Sequence, residues 1–258
     1  MRWHRWWPRG SRVATRAPGR PHGVIAPERA GAAERTARRG AISEAEWALA
    51  RERMVIDQLE RRGLRDEELL RTFRMVPRHR FVDSDDPYGD RALAIPSGQT
   101  ISQPYVVAAM AAAARPEPGY RGAKVLEIGT GSGYSAAILA ELGAEVTTVE
   151  RHASLGAEAL ERLRSAGYDN VRVVVGDGSL GWPQGAPYDA IIVTAAGPSV
   201  PEPLLGQLSQ DGGRLVMPVG TREQQWLTLV QRHGTAYTRR EVEPVVFVPL
   251  VGEHGFRE

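Results

Sequence analysis

The chain contains no cysteine. That one absence excludes a disulfide framework, a thiolate zinc site and a cysteine nucleophile. Histidine is sparse. His4, His22, His79, His152, His233 and His254 show no short i, i+4 pairing of the kind a helical metal site uses, so no metal is expected. Long apolar runs are missing too: nothing approaches the roughly 18 residues of a membrane span. The N-terminal segment also lacks the apolar core of a signal peptide, and a soluble, cytosolic protein is expected.

Excess basic charge is absent from most of the chain. Residues 1–40 hold ten Arg against Glu28 and Glu34, a net of +8, and the whole chain stands at +2, which leaves −6 for the remainder. A folded part of that sign offers no basic groove, so nucleic-acid binding is not expected of it. The basic segment itself is rich in Arg, Gly, Ala and Pro and shows no period of 2 or 3.6, which predicts a disordered tail over 1–40 and a single domain over 41–258. Trp3, Trp6 and Trp7 among its arginines suit stacking on nucleic-acid bases or a membrane surface, and a solvated tail is the plainer alternative.

Order is predicted from Ser43, which forms an S-x-x-E capping box with Glu46 ahead of a helix whose inner face carries Ala48, Val55 and Leu59 and which stops at Gly63. Asp66 caps a second helix lined by Leu69, Phe73 and Val76 and ended by Pro77. Tyr88 to Tyr105, dense in Gly, Pro, Ser, Thr and Gln, reads as an irregular ligand-facing loop, and Val106 to Ala114 as an alanine-rich helix. From Lys124 a unit of strand, glycine turn and helix repeats: KVLEI, EVTTV, VRVVV and YDAIIVT alternate with amphipathic stretches. This alternation predicts a doubly wound, mostly parallel α/β sheet preceded by N-terminal helices. RLVMPV, WLTLVQR and VVFVPL follow as strand-like runs with no long helix between the last two, so antiparallel strands are expected at the C-terminal end.

The strongest local signal is Gly129-Thr130-Gly131-Ser132-Gly133 at the end of the first of these strands. Glycines let a backbone approach a ligand closely and adopt positive φ without penalty. Such a turn alone fits either a nucleotide-type site or a structural turn. Its G-x-G-x-G spacing departs from the G-x-G-x-x-G of dinucleotide folds. Three acids, Glu127, Glu150 and Asp177, are expected at strand ends nearby, where they would repel phosphates but suit a ligand with an ammonium, a sulfonium and ribose hydroxyls. S-adenosylmethionine fits that description. Glu150, about 20 residues past the glycines, is the candidate for the ribose hydroxyls, and Asp177 with Gly178 for the adenine.

Several stretches together resemble the protein-L-isoaspartate O-methyltransferase family: VPRHRFV at 76–82, ALAIPSGQTISQPYVVAAM at 92–110, VLEIGTGSGYSAAILA at 125–140, GDG at 176–178, YDAIIVTAA at 188–196, GGRLVMPVG at 212–220 and FVPL at 247–250. The resemblance runs from about Trp47 to Gly252, and SGQTISQP is its most specific part. It implies the class I methyltransferase fold over 41–258 and S-adenosylmethionine as donor. Ser102 is implied as the active-site serine, Thr100, Ile101 and Gln103 as the border of the substrate pocket, and Thr194 to Ala196 as neighbours of the cofactor. Val246 and Pro96 depart from the family, which often has Arg and Gly there, and both departures fall on the substrate side. Read without the resemblance, Ser102 is more readily a loop-stabilising hydroxyl than a substrate contact.

The implied partners are isoaspartyl proteins and peptides, and a monomer is expected. Methylation would start repair through a succinimide. The alternative is a tailoring enzyme that esterifies an aspartate of a peptide natural product to give an aspartimide. Such enzymes often carry a long C-terminal extension, and here the chain ends soon after FVPL, so repair is the expectation.

Overall fold

A computed structural model describes residues 42–257. The expected Arg-rich tail at 1–40 lies outside the described residues. Helix α1, Glu44–Met54, opens with the expected capping box: Glu46 N–H donates to Ser43 Oγ, and Ser43 N–H donates to Glu46 at 2.8 Å. Its inner face differs from the expected one. Ala48 is exposed, while Trp47 is buried and stacks on His79 with ring centroids 4.8 Å apart. An alanine has little surface to bury, so the large aromatic one position earlier sets the face. Val55–Glu60 then winds as a π-helix, and its wider turn brings both Val55 and Leu59 inward. Helix α2, Glu67–Met75, is capped by Asp66 through Leu69 N–H at 3.0 Å and buries Leu69, Leu70 and Phe73.

The stretch expected to be irregular contains a small antiparallel hairpin. Strand β1, Leu93–Ile95, pairs with β2, Gln99–Ile101, in the register Leu93↔Ile101, around a tight turn at Pro96–Gly98. Three-residue strands between turn-forming residues carry too little alternation to show in a sequence. Helix α3, Pro104–Ala114, starts two residues earlier than expected. Pro104 takes its first helical position, where a missing N–H costs nothing.

The main sheet has seven strands: β3 Lys124–Ile128, β4 Glu145–Glu150, β5 Val171–Val175, β6 Ala190–Val193, β7 Asp211–Gly220, β8 Gln225–His233 and β9 Ala236–Val245. Their order is β5-β4-β3-β6-β7-β8-β9. The pairs from β5 to β7 are parallel, and β8 and β9 add antiparallel. Helices α4 Tyr134–Glu141, α5 Ala153–Ser165 and the short α6 Glu202–Gly206 complete the unit. The period of two along each strand splits the core between the faces: Val125, Ala190 and Ile192 pack with the N-terminal helices, and Leu126, Ile128, Ile191 and Val193 with α6.

The last strand is not the one the apolar pattern suggests. VVFVPL contributes only Val245 to β9, which is otherwise the polar run AYTRREVEP, exposed over its first six residues. A free sheet edge favours charged side chains, whereas Phe247–Leu250 leaves the sheet and is tied to β6's end: Ala196 N–H donates to Val248 O at 2.8 Å, and Leu250 N–H donates to Ala196 O at 2.7 Å. Among the described residues no helix is long and apolar enough to cross a membrane, and no group of three or more acids and histidines is placed to hold a metal.

Candidate active site

The C-terminal ends of β3, β4, β5 and β6 open on one pocket of about 870 Å³, open solvent at its mouth included. In a doubly wound sheet this edge, beside the strand where the order reverses, is where ligands bind. Gly129, Thr130 and Gly131 form its floor, and Glu150, Gly178 and Thr194 its walls. Thr100, Ile101 and Ser102 close it from the hairpin side.

The glycine turn is built by hydrogen bonds as much as by glycine. Gly129 has φ 92°, and a Cβ there would stand 2.4 Å from Thr194 Oγ1. That hydroxyl donates to the carbonyls of Ile128 at 3.0 Å and Gly129 at 2.8 Å, fastening β6 to the turn. Gly131 has φ 52°, and a Cβ there would project between the turn and the hairpin, 3.5 Å from Ile95 Cδ1. Its absence keeps open the cleft between the two halves of the site. Gly133, by contrast, faces Leu163 of α5 and lies off the pocket wall: it serves the packing of α4.

The three acids expected together take three different places. Glu150 is on the pocket wall, nearly buried, and accepts from Gly131 N–H at 3.0 Å and His152 N–H at 3.1 Å. Each oxygen keeps acceptor capacity beyond these bonds. Glu127 is wholly buried beneath the turn. Thr148 Oγ1 donates to it at 2.7 Å, and Thr148 and Thr130 hydroxyls lie 2.7 Å apart, so a line of hydrogen bonds runs from Glu127 to the floor. Burial pushes its carboxyl up to about 7 against hydrogen bonds from Ser135 and Thr148, and the nearby Glu150 charge adds to the push.

Asp177 turns away from the pocket. It accepts from Ser179 N–H at 2.8 Å, Ser179 Oγ at 2.7 Å and Glu253 N–H at 2.8 Å, so it clasps the C-terminal segment. Burial alone would raise its carboxyl, but these bonds prevail and hold it below the usual range. Gly178 beside it lies within van der Waals reach of β3, and a Cβ there would meet Ile128 Cγ2 at 2.3 Å.

On the hairpin side Ser102 is half-buried and lines both the main pocket and a second, open groove behind it. Gln103 borders only that second groove, where its side-chain amide donates to Asp90 Oδ1 at 2.6 Å. Thr100 is exposed between the two, and Val246, 78% exposed, lines the groove's far side. Sequence reasoning missed Met110, Val149 and the run Val248–Val251, all on the main pocket's wall. FVPL was legible as a family-like string, but its apolar character pointed to a strand rather than to a pocket wall.

Comparison with known proteins agrees with this geometry. Residues 50–255 match the family model described as protein-L-isoaspartate(D-aspartate) O-methyltransferase. A protein-L-isoaspartate O-methyltransferase of Methanoregula boonei is 48% identical over 209 residues, covering 80% of this chain and 94% of that protein. One of Gloeobacter violaceus is 51% identical over 204 residues, covering 78% and 98%. A solved protein-L-isoaspartate O-methyltransferase superposes with TM-score 0.71 at 28% identity, over 80% of this chain and 67% of that one. A Plasmodium falciparum structure described as such an enzyme, in complex with S-adenosyl-L-homocysteine, has TM-score 0.67 at 23% identity, covering 78% and 98%, and shows the shared fold. On the family model and these relatives, the chain belongs to the protein-L-isoaspartate(D-aspartate) O-methyltransferase family.

Proposed function

We propose that the two sides of the pocket divide the labour of S-adenosylmethionine-dependent methylation of isoaspartyl carboxylates, the activity of the family, with the glycine turn holding the donor and the hairpin loop the acceptor. The observation that carries this is the cleft at Gly131, open between the turn and the hairpin and bounded by Glu150 on one side and Ser102 on the other. The residues suit the donor. Glu150 has acceptor capacity for ribose hydroxyls, Gly178 leaves a flat wall for a purine, and Gly129, Thr130 and Gly131, fastened by Thr194, shape a close-fitting floor that Glu127 supports from below. Asp177 acts at one remove, by fastening the Glu253 backbone behind Gly178.

When bound, the donor supplies a methyl group made electrophilic by its sulfonium. A substrate carboxylate, with an ordinary pKa near 4, is already a nucleophile at neutral pH, so no side chain has to remove a proton. The protein's work is alignment and exclusion of water. Ser102 Oγ holds the carboxylate, and Thr100, Ile101 and Gln103 shape the approach of the peptide around it. Methylation turns the carboxylate into a methyl ester; the neighbouring backbone nitrogen then attacks the ester carbonyl, methanol leaves, and water opens the resulting succinimide, returning part of the product to normal aspartate. The substrate segment enters extended, because the extra backbone carbon of an isoaspartyl linkage fits neither helix nor sheet.

The enzyme acts as a monomer in this reading. The free edge of β9 is blunted by Arg239, Arg240 and Glu241, which disfavour strand pairing between copies. Light scattering on the pure protein tests that point. The main test is steady-state methylation of a synthetic isoaspartyl peptide beside its aspartyl counterpart. Strong preference for the isoaspartyl form is expected. Equal or reversed preference would point instead to a tailoring enzyme, which no comparison favours.

A further inference from the structure

The VPRHRFV stretch holds a residue that the chemistry above leaves without a role. Arg78, in the 3-10 turn Arg78–Arg80 after α2, is fully buried. Its Nε donates to Pro87 O at 2.8 Å and its Nη2 to Ser102 O at 2.8 Å. Nη1 is buried and has no hydrogen-bond partner among the described residues, as is the case for the hydroxyl of Tyr134, whose ring centroid lies 4.9 Å from the guanidinium carbon. Burial lowers Arg78 to about 10, and the groups that push it back are the phenols of Tyr134 and Tyr88, with no carboxylate among them. Among the described residues Arg78 is therefore, at neutral pH, a buried cation compensated by two carbonyls, the Tyr134 ring and the dipole of the Tyr88 phenol, an expensive arrangement for a mere strut.

What lies beyond it is the substrate loop. The carbonyl of the Ser102–Gln103 peptide faces Arg78, so the trans geometry turns the Gln103 N–H the opposite way. The same peptide opens α3, whose N-terminus has no side-chain cap and so directs its free N–H groups outward. A buried positive charge and an uncapped helix start thus act on one peptide, next to the hydroxyl proposed to hold the substrate.

We propose that Arg78 is a positioning residue that supplies the counter-charge of the site: through the Ser102 carbonyl, and together with the α3 N-terminus, it makes Ser102–Gln103 an electropositive seat for the isoaspartyl carboxylate. The missing partner of the buried cation is then the substrate's own carboxylate. This rests on the substrate assignment above and adds the electrostatic source of its affinity for an anion.

The test compares binding of two peptides that differ only in charge: the isoaspartyl peptide and its isoasparaginyl amide, which is the neutral isostere. Full-length wild type, Arg78→Lys and Arg78→Met are titrated with each, after a thermal melt and a cofactor titration of each variant. Wild type is expected to prefer the anionic peptide by about tenfold or more, the scale of one charge-assisted interaction. In Arg78→Met that preference should shrink about fivefold, while amide binding stays within about twofold, and Arg78→Lys should keep most of it. Equal loss of both peptides in Arg78→Met, or loss of the preference in Arg78→Lys as complete as in Arg78→Met, would show a strut and overturn the proposal.

Should Arg78→Met not fold, wild type decides by salt: a buried charge is weakly screened, so the preference should survive about 0.5 M salt. Its collapse there would sink the idea. Failure of wild type to methylate the isoaspartyl peptide despite a strong anion preference would refute the function while leaving the seat standing.

Discussion

Glu150 accepts two backbone N–H groups and still faces the pocket, so its loss removes a ligand contact and loosens the Gly131 turn together. Glu150→Ala should weaken S-adenosylmethionine binding by about 1.5 to 3 kcal/mol, roughly a 10 to 150-fold rise in dissociation constant by calorimetry. An affinity within about twofold of wild type would place the ribose elsewhere. Ser102 lies across the cleft. Ser102→Ala should cut turnover of an isoaspartyl peptide by about tenfold or more and leave donor affinity within about threefold, since the bond lost is to the acceptor. Unchanged turnover would remove Ser102 from the mechanism.

Glu127 titrates near 7 in the fold against an ordinary 4.5, so the folded state binds the extra proton between those values. Stability is then lost as pH rises through that window, with the full cost present above it. Glu127→Gln should be more stable than wild type by about 1 to 3 kcal/mol at pH 8 and close to it near pH 4.5, read from paired denaturant melts. A difference that does not change with pH would mean that Glu127 is ionised at no such cost.

At the scale of elements, the C-terminal segment is held on the site by side chains beyond Val251, in addition to the backbone bonds that tie Val248 and Leu250 to Ala196. Asp177 fastens Glu253, Ser179 Oγ accepts from His254 N–H at 3.0 Å, and Gly252 lies so close that a Cβ would overlap Asp177. Asp177→Ala should cost about 1 to 2 kcal/mol at neutral pH and weaken the donor site indirectly, because Leu250 and Val251 line it. The Asp177 carboxyl is held below its ordinary value, so this contribution is present above the unfolded pKa and disappears only as pH falls through the lower, folded one. Wild type and variant should therefore converge in acid melts. A gap that persists at the lowest pH would mean that the segment is held by something else. This clasp was not legible beforehand: Gly176-Asp177-Gly178 looks like a ligand turn in the sequence, and nothing local says that its carboxylate meets a backbone 76 residues away.

For the whole molecule, the family match begins at residue 50, past the basic residues 1–40. Their removal should leave the melting midpoint and turnover nearly unchanged. A midpoint lower by several degrees, or a tenfold loss of activity, would give the basic segment a structural or functional part. Much of the architecture was legible: the alternation of apolar strands with glycine turns foretold the parallel sheet, and the capping residues Ser43 and Asp66 marked the starts of their helices. The hairpin at 93–101 and the polar edge strand β9 were not: strands of three residues, with Leu93 and Ile101 turned into the core, are too short to show a period, and β9 is exposed over its first six residues.

By itself the sequence determined the fold class, the family and the two segments that meet at the pocket, because each depends on local signals: period, glycine spacing, caps and short characteristic strings. Only the tertiary structure decided which carboxylate faces the pocket. Glu127, Glu150 and Asp177 look alike as acids near strand ends, yet the pleat turns Glu127 under the turn, the end of β4 points Glu150 at Gly131, and the chain's last segment captures Asp177. It also decided that Arg78 stands behind Ser102. A separation of 24 positions hides that contact, since a hydrogen bond between distant segments leaves no mark in the order of either one.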